Sequence, residues 1–478
     1  MSLRRAVTAG AAGAACAVAG AIDDAPRRGA VDDAPPREVL PEQRAALAFV
    51  APVGLSVVNG KLLFSAFHVQ RGQELWASDG TLEGTAIVKD IRPGFQGSFP
   101  SGHALFAEAL YFAADDGQHG VELWKSDGTA AGTQRVADIR PGAQGSMPNT
   151  MTRWRDALAF VADDGVSGFQ LWSTCGDAAS TRRISDIRSA AGTAVPRQLT
   201  PAGERLFFTA SDDQAGHELW VSDGTRTGTR RVKDIRRGPE AARIEQLVAL
   251  GSKVYFVADD GVHGAELWVS DGTASGTTMV ADVRRGRDGS RPSHLVIAGG
   301  VLYFAAHDGS SGIELWRSDG SAAGTRRVKD IRAGVHNGLP SHLAVLRDKL
   351  YFAAIDGAHG TELWTSDGTA EGTVMVKDIA AGTAGSSPAH LTRVGDRLWF
   401  TAADGATGSR AWSTDGSADG TRIERHPAPA GGLASRFTAW GDAVAFVAGD
   451  GRGNERLWRR AADGTIELIG APLEQRLR

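Results

Sequence analysis

Three histidines recur at one spacing. His294, His342 and His390 each follow a small residue and precede Leu, and each is 48 residues from the next. Three imidazoles are the usual protein ligand count for a catalytic zinc. The simpler reading is that each His anchors a loop at the start of a strand. A second set, His119, His263 and His359, sits inside Asp-Gly-x-His-Gly loops. The same register carries an Asp from Asp116 to Asp450, doubled in Asp115-Asp116 and Asp259-Asp260. Calcium takes six to eight oxygens, and these doublets offer two carboxylates plus carbonyls. No D-x-D-x-D-G spacing accompanies them, so turn-forming Asp is the simpler reading. Calcium in some of these loops is the sharper alternative, and otherwise no cofactor is expected. A third set is acidic: Glu74, Glu122, Glu218, Glu266, Glu314 and Glu362 stand two residues before a Trp. A carboxylate half-buried beside an indole needs a partner. The arginines of a downstream Asp-Ile-Arg segment, among them Arg92, Arg140 and Arg236, are the expected partners. A ring of acids for a substrate is the sharper alternative. Gln170, Arg410 and Arg456 replace this Glu in three units, which favours the latch.

These residues are spaced by a repeat. Trp76, Trp124, Trp172, Trp220, Trp268, Trp316, Trp364 and Trp412 are 48 residues apart, and Trp458 follows 46 later. Nine units result. A Phe stands twelve before every one of these Trp, and all four Tyr of the chain stand thirteen before one. The unit 292–339 parses into four strands: a (HLVIA), b (VLYFAA), c (IELWRS) and d (TRRVKDI). Aromatic and β-branched residues fill them, and Gly, Asp, Asn and Ser fall between. Asp-Gly at the c–d link favours a tight turn. Four short strands per 48 residues mark β-propeller blades. The expected fold is all-β: one large propeller of four-stranded blades over 47–470. Nine blades are expected, with eight plus a closing unit as the alternative. If a is the inner strand, the b–c and d–a loops share one rim and the Asp-Gly-Thr turns the other.

The string Glu122-Leu123-Trp124-Lys125-Ser126-Asp127-Gly128-Thr129-Ala130-Ala131-Gly132-Thr133 recurs almost unchanged in five further units. It resembles the bacterial ELWxxDGT repeat family, loosely labelled hyalin-like, over about residues 50–465. That resemblance implies an exported or surface-associated repeat protein, and it brings no catalytic residues to carry over. Units 3, 8 and 9 depart from the string at Gln170, Arg410 and Arg456.

The N-terminus fits export. Arg4 and Arg5 precede a run of small, weakly apolar residues from Ala6 to Ala21, and Asp23 and Asp24 end it. This is the layout of a cleaved signal over 1–21, followed by an Ala/Pro/Arg/Asp linker over 22–46. Cys16 makes a poor lipoprotein site because no Leu stands three residues before it. Cleavage at Ala21 leaves Cys175 as the sole thiol, on a c–d turn. Residues 471–478 form a tail. The expected location is secreted or cell-surface.

Composition removes several classes. A net charge of −4 gives no support for nucleic-acid binding. After the leader no apolar run reaches the length of a spanning helix. Two Cys are too few for a disulfide framework or a Cys-based zinc site. Gly-x-Ser-x-Gly, P-loop and metalloprotease motifs are missing. Trp154 and Trp440, outside the Trp register, are expected near the a–b turn and exposed. Trp399, which takes a Tyr position, is expected in the core. The sequence therefore points to a monomeric, non-enzymatic binding or scaffold module for a protein or surface glycan. The alternative is a polysaccharide hydrolase or lyase with its site on the b–c/d–a rim.

Overall fold

The computed structural model describes residues 49–469 apart from 82, 189–193, 425–433 and 450–454. The leader, the linker, the tail and Asp450 lie outside the described residues. Those described form nine four-stranded sheets, and no helix occurs among them. Every sheet runs a-b-c-d in chain order, all antiparallel. In blade 6 the strands are Ser293–Ala298, Val301–His307, Ile313–Ser318 and Arg326–Lys329. Strand a of each blade contacts strand a of the next, around to blade 9, which contacts blade 1. The result is a closed nine-bladed β-propeller with strand a innermost.

Packing explains the repeated aromatic residues. Strand b is buried on both faces: Leu302, Tyr303, Phe304, Ala305 and Ala306 are all in the core. Phe304 pairs directly with Trp316 across the sheet. Each apolar cluster spans two neighbouring blades. Leu63 and Leu75 of blade 1, for example, pack against Phe112 and Trp124 of blade 2. Burying each such side chain contributes about 1.5–3 kcal/mol. A blade alone would leave both faces wet, so the blades are stable only as neighbours.

The first and last blades meet without sharing a sheet. Leu62, Phe64 and Trp76 of blade 1 pack on Trp440, Val447, Leu457 and Ile469 of blade 9. Trp440 Nε1 donates to Gly60 O at 2.8 Å across this seam. Trp154 and Trp440 are 4% and 6% exposed, which corrects the expectation that they face solvent. Each covers an inter-blade cluster from the a–b end of its own blade. Trp399 is in the core, as expected.

The rim assignment follows from contacts between loops. Parallel bridges Gln73–Gly97 and Val121–Gly145 tie the start of strand c to the d–a loop. At the other end, Asn59 and Arg155 of a–b turns donate to the carbonyls of Asp127 and Asp223 in c–d turns of later blades. Strand d is shorter than its sequence suggests: four residues in blade 6 and two in blade 4. Further along, the amides of Ile235 and Arg236 in blade 4 are taken by Glu218 instead of strand c.

Candidate functional site

The Ser-Asp-Gly-Thr rim is closed upon itself. In blade 2, Asp127 Oδ1 accepts from the amide and the hydroxyl of Thr129, at 2.9 and 2.7 Å. Thr129 Oγ1 accepts from Gly132 N, and Thr133 Oγ1 donates to Thr129 O. A Cβ on Gly132 would lie 2.1 Å from the Asp127 carboxylate. Each turn also receives the previous blade. Tyr303 Oη fills the space above Gly368, where a Cβ would meet it at 2.3 Å. Lys329 Nζ donates to Thr373 O at 2.7 Å. The most repeated string in the chain is thus a structural latch. Cys175 sits on the equivalent turn of blade 3, where its amide donates to Ser180 Oγ at 3.0 Å.

The repeated glutamate is a latch of a different kind from the one expected. Glu122 is wholly buried rather than half-buried. It accepts from the backbone amides of Ile139, Arg140 and Ser146, at 3.2, 3.1 and 3.0 Å, and from Ser146 Oγ at 2.6 Å. Glu362 repeats this with Ile379, Ala380 and Ser386. The carboxylate thus turns strand d into the d–a loop. The guanidinium expected beside it reaches the next blade instead. Arg140 binds Asp163 at 2.8 Å, Arg236 binds Asp259 at 2.9 Å, and Arg92 binds Asp115. Burial pushes Glu74, Glu218 and Glu314 up to about 7. In blade 3, Gln170 does the same work as a neutral amide, accepting from Ile187 N at 2.9 Å and donating to Ile187 O at 2.8 Å.

The acids of the b–c loops are also occupied. Asp115 and Asp259 each accept from the glycine amide two residues on, besides their arginine. Asp116 and Asp260 each accept from two loop amides through Oδ1. Their Oδ2 atoms meet His119 and His263 Nδ1 at 2.8 Å, and Asp356 holds His359 alike. The Asp hydrogen bond raises the pKa of His263 and His359. These three histidines sit in blades 2, 5 and 7, so the ring keeps them apart.

His294, His342 and His390 are brought together. They lie on strand a of blades 6, 7 and 8 and are exposed on the channel wall. The His342 and His390 ring centres are 6.3 Å apart. Each His has φ between 54° and 58°. Sequence reasoning missed this, because the left-handed position recurs in all nine blades under changing residues. It is Gly54, Gly102, Thr150, Gln198, Gln246, His294, His342, His390 and Arg436, all with positive φ. The three histidines each lie within a break in the a–b register. Left-handed non-glycine residues cost of order 1–3 kcal/mol and cluster at functional sites. The two glycines at this register were the available signal. Gln198, Gln246 and Arg436 use the position to bond the next blade. Gln198 Nε2 donates to Ile244 O, Gln246 Oε1 accepts from Leu295 N, and Arg436 donates to Pro52 O. The three histidine rings make no hydrogen bond among the described residues. Partial desolvation against the channel wall lowers the pKa of His294, and the same effect with repulsion from His390 and His294 lowers that of His342. Among the described residues no group of three or more His, Cys, Asp or Glu is placed to hold a metal ion.

The two rims differ in one more respect. Of the eleven large apolar side chains exposed among the described residues, nine lie on the b–c/d–a rim. Blades 1 to 3 carry Phe67, Val69, Phe95, Phe99, Met147 and Val166 there, with Phe95 76% exposed.

No protein-family model and no curated protein sequence matches the chain. Solved structures do. A computationally designed protein, Ika8, is 15% identical, covering 78% of this chain and 96% of its own, with a TM-score of 0.42. A prolyl endopeptidase is 14% identical, with a TM-score of 0.43. It aligns with 68% of this chain, which spans half of that enzyme's length. The β-propeller domain of the Trilobed protease from Pyrococcus furiosus is 8% identical over 79% of this chain and 99% of that domain, with a TM-score of 0.37. Likenesses this distant carry no argument about activity.

Proposed function

We propose that this chain is an exported, non-enzymatic scaffold propeller that binds a protein partner through its b–c/d–a rim. The observation that carries the reading is the asymmetry of the rims. One rim has its carboxylates and hydroxyls spent on its own turns. The other presents Phe95, Phe99, Met147 and Val166 to solvent on consecutive blades. Exposed apolar side chains gathered on one rim point to that rim as the interaction surface. Aromatic residues and Met are enriched at protein interfaces. A glycan surface would instead present Tyr or Trp rings, and all four Tyr here are buried. The ELWxxDGT resemblance supports export and surface association. The hydrolase or lyase reading gains nothing from the rim acids, which are committed to loop closure.

The test is a Phe95→Asp/Phe99→Asp/Met147→Asp variant, compared with wild type by cross-linking on the producing cell and by a glycan array. Loss of a discrete cross-linked protein with an unchanged melting temperature supports the reading. Equal cross-linking by both, or specific glycan binding, refutes it.

A further inference from the structure

We propose that His342 and His390 form a binding site for one imidazole-seeking divalent transition-metal ion, such as zinc or nickel, on the channel wall of blades 7 and 8. This inference is independent of the rim reading, because it concerns the inner strands alone.

The geometry supplies two ligands. The rings face each other from adjacent inner strands with centres 6.3 Å apart and planes tilted by 50°. A tetrahedral ion binds an imidazole nitrogen at about 2.0–2.1 Å. It would hold the two ring centres somewhat closer than they stand, so rotation about the side-chain bonds closes the pair. Exposed side chains make such moves within nanoseconds. The strand itself need not shift.

The position is one the fold maintains at a cost. Both histidines have positive φ, at 54° and 58°. Elsewhere on the ring, Gln198, Gln246 and Arg436 use this register to tie one blade to the next. The histidines give up that bond and leave their nitrogens to the channel. Imidazole binds a metal in its neutral form. Oxygen-seeking calcium is disfavoured at a site of nitrogen donors and water, whereas zinc, nickel and copper suit imidazole. His294 stands one blade further along, on strand a of blade 6, and is not one of the two ligands.

The experiment is calorimetric titration of the folded chain with zinc chloride, then nickel chloride, with calcium chloride as control. The site predicts one zinc ion per chain and no heat with calcium. His342→Asn and His390→Asn should each weaken zinc binding by about tenfold or more, which is about 1.4 kcal/mol. Asn tolerates positive φ, so these variants keep the strand, and a melting curve verifies that they fold. His294→Asn and His119→Ala should leave zinc affinity unchanged. Absence of zinc binding by wild type overturns the proposal. So does binding that survives the His342→Asn/His390→Asn double variant, or a loss with His294→Asn as large as with His342→Asn.

Discussion

The two rims are built from the same nine units and behave oppositely. On the c–d rim, Asp, Gly and Thr recur because each closes a hydrogen-bonded turn and receives the blade before it. On the b–c/d–a rim, the loop frame is repeated but its outward side chains are not. At one register Phe99 and Met147 stand in blades 2 and 3, Arg243 and Arg291 in blades 5 and 6. Repetition within one chain therefore marks what every blade needs to stack. Departure from repetition marks where individual blades differ toward solvent. The most repeated string of the sequence is the least suited to meet a ligand, since its turn carboxylates and hydroxyls already hold hydrogen bonds within the turn.

The contrast can be broken or sharpened by substitution. The largest effect belongs to the shared core. Trp268→Ala should destabilise by about 3–5 kcal/mol in thermal or denaturant unfolding, because the indole is 7% exposed between blades 4 and 5. A near-neutral melt would place that face outside the core.

Gly368→Ala attacks the c–d rim. The residue has φ of +89° and its new Cβ would lie 2.3 Å from Tyr303 Oη. A loss of about 1–3 kcal/mol is expected, with Tyr303→Phe in the same background restoring part of it. A change below the error of the melt would mean that the rim is not the latch described here.

The buried glutamates give a pH signature. Glu218 is raised to about 7 in the folded chain, against an ordinary value near 4.3 when unfolded. The folded state thus holds more protons across that interval, and its stability falls as pH rises from about 4.5 through 7. Glu218→Gln removes this titration, following the arrangement of Gln170. Between pH 5 and pH 8, wild type should lose about 1–3 kcal/mol relative to the variant. Parallel pH dependence of the two melts would refute the assignment.

The smallest effect on stability belongs to the other rim. Phe95→Asp and Phe99→Asp should change unfolding by no more than about 0.5 kcal/mol, as solvent-facing substitutions do, while removing partner capture. A large loss of stability would show that these rings pack rather than present.

Much of the architecture was readable from spacing. The 48-residue period, the Phe–Trp cross-strand pair and the Asp-Gly turns are local consequences of what a blade must bury and how its strands must reverse. They specified nine blades, strand order and which loops share a rim. The partner of Glu122 was not readable. It is a set of backbone amides 17 to 24 residues downstream, and an amide leaves no trace in residue type. The burial of Trp154 and Trp440 was hidden for a related reason: the surface that covers each belongs to a neighbouring blade.

The sequence by itself determined the repeated module, because side-chain size and turn chemistry act within a few residues. Only the tertiary structure decided which unlike residues share one backbone conformation on the channel wall. Ring closure places position 294 beside 342 and 342 beside 390, and a left-handed bend that tolerates Gly, Gln, His and Arg alike has no single residue type to announce it.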